Sequence, residues 1–176
     1  KLMKSKENIV FLGMMGSGKT TIGKIVSQKL NLDFFDTDDE IEKKLDMKIS
    51  KIFSEKGESY FRKFEEELTF KLLKKKRIII ALGGGTFLNN KIRKEILDNH
   101  LSVWLKWDDE ILLNRIKDSH KRPIAINSTN HDLLKLIQKR SNIYSKALYY
   151  VNCNKLGKNE IASRVIKIYE NNKIKS

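Results

Sequence analysis

The sequence predicts an α/β fold in which a parallel sheet is covered by helices on both faces. Short runs that are apolar throughout alternate along the 176 residues with longer segments whose apolar residues recur at helical spacing. Strands without polar alternation are typical of parallel sheets buried on both faces, and the alternation of the two patterns is that of successive βαβ units. No composition break or Pro/Gly/Ser-rich stretch suggests a linker, so we predict a single domain over residues 1–176.

In the N-terminal half, residues 8–13 form the first predicted strand because they are apolar up to a glycine-rich turn. Residues 20–30 are predicted to be helical, because four apolar side chains share one face, namely Ile22, Ile25, Val26 and Leu30. Residues 33–36 are a short second strand. Three further helical patterns follow, at residues 37–45, 49–53 and 58–73.

In the C-terminal half, a third strand at residues 77–82 runs into three consecutive glycines. Two more short apolar runs predict strands at residues 101–107 and 149–153. Helical periods are found at residues 90–99, 108–117, 131–146 and 159–169. Residues 119–130 are polar, have no apolar period and contain the only proline, so we predict a loop there.

The chain is strongly basic, with a formal net charge of +14 and a pI near 9.7. Such a balance can mark a protein that binds nucleic acid. The lysines are, however, scattered over the chain, and the only compact basic run is residues 74–77. We therefore do not expect a nucleic-acid partner, and we expect the positive field to help recruit anionic substrates.

Several other classes are disfavoured by what the sequence contains. No apolar run approaches the roughly 20 residues that span a bilayer, and residues 1–8 lead into a strand rather than a secretory apolar segment. Cys153 is the only cysteine, so the chain cannot form an internal disulfide. One cysteine and three widely spaced histidines do not make a structural zinc site. We expect a cytoplasmic protein with no membrane partner.

Residues 13–20 read GMMGSGKT and match the Walker A pattern in full, between a predicted strand and a predicted helix. In this motif, backbone N–H groups converge on phosphate oxygens, and the helix N-terminus adds positive partial charge. We expect Lys19 to reach the β- and γ-phosphates of a nucleotide and Thr20 to offer its hydroxyl to Mg²⁺. The alternative is a glycine-rich turn with an incidental lysine, but strand, turn and helix are all in register with the motif.

Two carboxylates, Asp36 and Asp38, lie where the second strand ends. The carboxyl ends of parallel strands are where α/β proteins bind ligands, so both side chains could lie near the phosphates. One could help to hold Mg²⁺, directly or through water, and the other could orient a substrate hydroxyl. The alternative is that Thr37 or Asp38 only N-caps the next helix.

Three further features are weak signals when each is taken alone. The glycine triplet at residues 83–85 indicates close approach to a ligand, a turn that needs positive φ, or a plain turn. Arg62, on the apolar side of a helix, could present its fork to a carboxylate or could simply be solvated. Arg122 in the polar segment could be a cation on a lid or part of an ordinary loop. Arg140, on the following helix, is unremarkable by itself.

Taken together, these motifs resemble the shikimate kinase family, and the resemblance covers nearly the whole chain in order. Besides the Walker A segment, the glycine triplet, Arg122-Pro123 and Arg140, it includes three segments at family-like spacings, residues 36–42, 49–53 and 57–65. The resemblance implies a P-loop kinase fold with a five-stranded parallel sheet and a mobile lid. It also implies transfer of the γ-phosphoryl group of ATP to the 3-hydroxyl of shikimate, a step toward chorismate and the aromatic amino acids.

The same resemblance implies a role for each site residue. Catalysis would depend on Lys19, Asp38 and Arg122. The ATP site would comprise Gly16, Ser17, Gly18, Lys19, Thr20, Thr21, Arg115 and Arg122, with Arg115 against the adenine. The shikimate site would comprise Asp38, Arg62, Gly83, Gly84, Gly85 and Arg140. Mg²⁺ would be held by Thr20 and, through water, by Asp36. Residues 37–73 would carry the shikimate-binding helices and residues 119–130 the lid.

The chain departs from the family pattern mildly. Ile124 stands where leucine is usual after Arg-Pro, residues 126–130 are an unfamiliar polar version of the lid, and an adenine-contacting loop is expected near residues 154–157. Two other functions compete with the one implied. The first is another small-molecule kinase of the same fold, such as a gluconate kinase, and the second is a P-loop NTPase that serves as a switch or a nucleic-acid-associated module. The family suggests a monomer.

Overall fold

The computed structural model describes residues 6–118 and 129–174 of the chain. Its five strands form one parallel sheet in the order β2-β3-β1-β4-β5. They are β1 (Ile9–Leu12), β2 (Asp33–Asp36), β3 (Ile78–Ala81), β4 (Leu101–Lys106) and β5 (Tyr149–Asn152). The predicted α/β class and the five-stranded parallel sheet are therefore confirmed.

Eight α-helices flank the sheet within the described residues. They are α1 (Lys19–Leu30), α2 (Thr37–Leu45), α3 (Ile49–Lys56), α4 (Glu58–Leu73), α5 (Asn90–Asn99), α6 (Asp109–Asp118), α7 (Asn130–Tyr144) and α8 (Lys158–Ile174). Several predicted ends are wrong: α3 continues to Lys56 and α8 to Ile174, whereas α7 ends at Tyr144 and β4 stops before Trp107. A 3-10 turn at Thr86–Leu88, just after the glycine triplet, was not predicted, because three residues are too few to show a period.

The strands bury both faces of the sheet, as their apolar runs predict. Successive residues of a strand point to opposite faces, and β1 accordingly divides its side chains between two core layers. Val10 lies with Ile80 in one layer, whereas Phe11 lies with Ile79 in the other. All four side chains are fully buried. No helix among the described residues combines the length and apolar character needed to cross a membrane.

The topology brings three loops to one edge of the sheet. β3 lies between β2 and β1, all three strands are parallel, and their carboxyl ends therefore meet. Residues 13–18 follow β1, Asp36 ends β2, and Gly83 follows β3 closely. The chain leaves β1 with β3 on one side and β4 on the other, which is the switch point where open α/β sheets bind ligands.

Candidate active site

The loop between β1 and α1 has the backbone that the Walker A pattern predicts. Gly16 and Gly18 have φ of 77° and 93°, a region that disfavours other residues. Gly18 is the N-cap of α1 and has no side chain. No side-chain hydrogen bond therefore caps the N–H groups of the first helical turn, which face the loop. Lys19 folds over this loop, and its Nζ donates to the carbonyl oxygens of Gly13 at 2.6 Å and Met14 at 2.9 Å. Two carbonyl oxygens of the loop thus hold the ammonium group beside it.

Thr20 connects this loop to the end of β2. Its hydroxyl donates to Asp36 Oδ2 at 2.6 Å, while Asp36 Oδ1 accepts from the backbone N–H groups of Asp38 at 2.9 Å and Asp39 at 3.2 Å. Asp36 is therefore the N-cap of α2, and the alternative that Thr37 or Asp38 is the cap is wrong. The Thr37 hydroxyl instead accepts from the N–H of Gly83 at 2.8 Å, which ties β2 to the glycine triplet.

The Thr20–Asp36 pair fits a magnesium ion in its chemistry. Both residues offer oxygen atoms, the donors that Mg²⁺ prefers. Because the threonine proton is directed at Asp36, the lone pairs of the hydroxyl oxygen face away from the carboxylate. Within the described residues, no group of three or more acidic, histidine or cysteine side chains could hold a metal alone. A metal here would therefore depend on phosphate oxygens and water, as Mg²⁺ commonly does.

The three glycines after β3 are each approached by a different side chain. A Cβ atom on Gly83 would lie 2.6 Å from Asp38 Oδ1, and one on Gly84 would lie 2.8 Å from Arg140 Nη1. A Cβ atom on Gly85 would lie 2.8 Å from Arg62 Nη1. None of the three has a positive φ, so the interpretation as a turn that needs positive φ is wrong. Any side chain at these three positions would clash with one of the three approaching side chains, which explains why all three residues are glycine.

Arg62 is half-buried and held in place rather than simply solvated. Its Nη1 donates to Glu65 Oε1 at 2.9 Å, its Nε lies 3.7 Å from Glu58 Oε1, and its guanidinium covers the Phe61 ring. Glu65 is buried, and its other oxygen accepts from the Thr86 hydroxyl at 2.9 Å. Sequence reasoning gave Glu65 no role, although its spacing of three residues from Arg62 on one helix was a usable signal.

Arg140 is the least ordinary residue of the site, contrary to its plain appearance in the sequence. It is only 6% exposed, and its Nη1 donates to Met14 Sδ at 3.7 Å. Its Nε has no hydrogen-bond partner, and no carboxylate of the described residues lies within ion-pair distance. A buried charge without a counter-charge costs several kcal/mol. The arrangement therefore favours an anionic ligand beside Arg140, next to Gly84, whose carbonyl accepts from the Tyr144 hydroxyl.

On the opposite side of the Walker A loop, Arg115 and Trp107 contact the loop together. Arg115 Nε donates to the carbonyl oxygen of Gly16 at 2.6 Å, and the Trp107 indole N–H donates to that of Ser17 at 2.9 Å. Ser17 itself is buried, and its Oγ has no partner among the described residues. Sequence reasoning assigned Trp107 to a core strand and gave it no part in the site.

A shallow pocket opens beside this pair, lined by Asp108, Asn152, Asn154, Lys155, Leu156 and Arg164. Asn154 Oδ1 accepts from the backbone N–H of Asp108 at 3.0 Å, which joins the loop after β5 to the start of α6. Three of these lining residues belong to the segment 154–157, where the family resemblance predicts a loop that contacts the adenine. Thr21 lies exposed in the first turn of α1. Arg122 and residues 119–128 of the expected lid lie outside the described residues.

Comparisons of sequence and of structure both find known proteins that are similar to this chain. A family model described as "Shikimate kinase" matches residues 15–170. The shikimate kinase of Thermodesulfovibrio yellowstonii is 39% identical over 165 residues, covering 93% of this chain and 95% of the relative. That of Bartonella quintana is 38% identical over 167 residues, covering 94% and 80%. The solved structure of an Acinetobacter baumannii shikimate kinase in complex with shikimate is similar with a TM-score of 0.88 at 29% identity, covering 97% of each chain.

Proposed function

The chain belongs to the shikimate kinase family, and we propose that the edge of its sheet transfers the γ-phosphoryl group of ATP to the 3-hydroxyl of shikimate. The proposal divides the site into two halves. The donor half is the Walker A loop with Thr20, Asp36 and Arg115, and the acceptor half is the glycine triplet with Asp38, Arg62 and Arg140. One chain supplies all these residues, so a monomer suffices for the reaction.

The convergence on the triplet is the single observation that carries the acceptor assignment. Two arginines and one aspartate come from three helices, α4, α7 and α2, and each lies against a different glycine. Shikimate carries one carboxylate and three hydroxyl groups. Arg140 and Arg62 would bind the carboxylate by charge-assisted hydrogen bonds, and Asp38 would accept a hydrogen bond from the reacting hydroxyl. Binding would supply Arg140 with the counter-charge that it lacks among the described residues.

In the donor half, the backbone and Lys19 would bind the phosphates of ATP. The N–H groups of residues 18–20 and the positive end of α1 would face the β-phosphate. Lys19 Nζ would leave the carbonyl oxygens of Gly13 and Met14 and bind the β- and γ-phosphates. Thr20, with Asp36 acting through water, would hold Mg²⁺, which supplies positive charge against the phosphate oxygens. Arg122 is proposed to add a further cation.

The chemical step follows from these positions. The shikimate hydroxyl oxygen bonds to the γ-phosphorus while the bond from that phosphorus to the bridging oxygen of ADP breaks. The hydroxyl proton leaves through Asp38. Phosphoryl transfer depends mostly on positioning and on neutralising charge, because its transition state is loose and makes little demand on a base. Asp38 is therefore proposed to orient the hydroxyl more than to deprotonate it.

A coupled assay for ADP release tests the proposal with shikimate, with gluconate and with no acceptor. We expect turnover that requires shikimate, because a gluconate kinase or an NTPase switch has no need to place Asp38, Arg62 and Arg140 around one backbone turn. Equal turnover without an acceptor would favour the switch, and turnover with gluconate alone would favour the other kinase. Either result would refute the acceptor assignment.

A further inference from the structure

Trp107 is the first residue after β4, and its side chain reaches the Walker A loop from outside. The indole N–H donates to the carbonyl oxygen of Ser17 at 2.9 Å, across 90 residues of sequence. The ring is half-buried and packs against both core layers of the sheet. The donor is therefore fixed to the rigid part of the fold, whereas its acceptor belongs to a loop.

The same ring also supports Arg115. The guanidinium of Arg115 lies over the indole at 4.2 Å from the ring centroid, within the range of a cation–π contact. From there, Arg115 Nε donates to the carbonyl oxygen of Gly16 at 2.6 Å. A Cβ atom on Gly18 would lie 3.9 Å from Arg115 Nη2, so the guanidinium runs alongside the loop. Trp107 thus contacts the loop directly and again through Arg115.

These two contacts fix consecutive peptide groups of the loop. In a trans peptide the C=O of one residue and the N–H of the next point in opposite directions. Holding the Ser17 carbonyl against Trp107 therefore turns the N–H of Gly18 away from the indole, and holding the Gly16 carbonyl against Arg115 does the same for the N–H of Ser17. The Ser17 N–H accordingly donates back to the Met14 carbonyl at 3.2 Å. These contacts therefore hold the curvature of the loop.

We propose that Trp107 is a positioning residue for the nucleotide, which acts by fixing the Walker A loop and the plane of the Arg115 guanidinium. The proposal rests on the proposed function only in that the loop binds ATP or ADP. One face of the guanidinium lies on the indole, which leaves its other face as a flat cationic surface for a purine ring. Trp107 is therefore expected to affect the nucleotide half of the site and to leave the acceptor half unchanged.

Calorimetric titration with Mg-ADP and, separately, with shikimate tests this on three variants. Trp107→Phe keeps a ring beneath Arg115 but removes the N–H donor, so we expect ADP binding to weaken about three- to tenfold. Trp107→Leu removes the ring as well, and we expect a loss of about ten- to fiftyfold. Shikimate binding should stay within about twofold of wild type in both. Trp104→Phe is the matched control, because Trp104 packs on Tyr144 and, among the described residues, its indole makes no hydrogen bond to the loop, and it should leave ADP binding unchanged.

The control also provides a spectroscopic test, because the chain has only two tryptophans. In Trp104→Phe, all tryptophan emission comes from Trp107, and we expect that emission to change with Mg-ADP and not with shikimate. The proposal is overturned if both Trp107 variants bind ADP like wild type, or if they lose ADP and shikimate equally, which indicates general destabilisation. These outcomes do not depend on the acceptor: wild-type protein that binds ADP but does not phosphorylate shikimate would refute the proposed function alone.

Discussion

Replacing Gly84 with alanine tests whether the triplet must be glycine so that neighbouring side chains can lie against its backbone. A Cβ atom at this position would lie 2.8 Å from Arg140 Nη1, whereas ordinary contact begins at 3.4 Å, so the guanidinium must move by about 0.6 Å. Arg140 is buried, and its Nη1 also contacts Met14, so little room is available for that movement. Misplacement of a binding group by about 1 Å can cost on the order of a hundredfold in rate. We expect kcat/KM for shikimate to fall about ten- to hundredfold.

The fold itself should tolerate Gly84→Ala. Gly84 does not have a positive φ, and an alanine in a compatible backbone stabilises a protein by about 0.4–1 kcal/mol through the unfolded chain. The KM for ATP should change less than about twofold, because the nearest Walker A atom, the backbone nitrogen of Met15, would lie 3.9 Å from the new Cβ atom, which is an ordinary contact distance. Steady-state kinetics with each substrate varied in turn, together with a thermal melt, measures all three quantities.

Gly57→Ala is the matched control, because Gly57 differs from Gly84 in two ways: it has space for a Cβ atom, and its backbone conformation is unfavourable for alanine. Nothing lies within 4 Å of a Cβ atom on Gly57, but its φ of 84° and ψ of 167° belong to a region that is essentially restricted to glycine. We expect this variant to lose about 1–3 kcal/mol of stability while its kcat/KM for shikimate changes little. If Gly84→Ala used shikimate as efficiently as wild type, the steric account of the triplet would be wrong.

Three other perturbations test separate parts of the account. Lys19→Ala should abolish kinase activity in a coupled assay and leave the circular dichroism spectrum unchanged, and activity within about tenfold of wild type would contradict the phosphate role. Arg62→Ala should weaken shikimate about ten- to hundredfold by calorimetry without affecting an ATP analogue, and Arg62→Lys should recover only part of that loss because a point charge lacks the planar fork. Burial lowers the pKa of His100 below its usual 6.5, so the unfolded chain takes up the proton more readily. The free energy of unfolding should therefore fall as the pH drops below 6.5, and His100→Asn should flatten that fall in denaturant titrations; an equal slope in both proteins would refute it.

The strands and helices could be predicted because their signals are local. β1 and β3 are apolar throughout and are closely followed by glycines, and α1 begins where the Walker A pattern requires it. Such features need only a few neighbouring residues. The failures were also local in origin: the residues after Tyr169 are polar up to Ile174, so the apolar period ended before α8 did.

The partners of the site residues could not be predicted in the same way. Arg140 looks like any helical arginine in the sequence, and its burial without a carboxylate depends on how α7 lies against the triplet. Trp107 looks like the last residue of an apolar strand, and only the sheet order places its indole beside Ser17. In both cases, the informative contact joins residues that are far apart in the chain, so the spacing of apolar residues in the sequence cannot predict it.

The two glycine-rich turns of the site illustrate why one half of it is general and the other specific. In the Walker A loop, Gly16 and Gly18 serve the backbone, since their positive φ values curve the loop so that main-chain groups face the ligand. In the triplet, Gly84 and its neighbours have ordinary φ values and serve other residues, since their missing Cβ atoms leave room for side chains. Main-chain groups bind the same ligand whatever the surrounding side chains are. By contrast, the ligand that binds at the triplet depends on which side chains, such as Arg140, lie there. We therefore expect substitutions around the triplet to alter the choice of acceptor while the nucleotide remains the same.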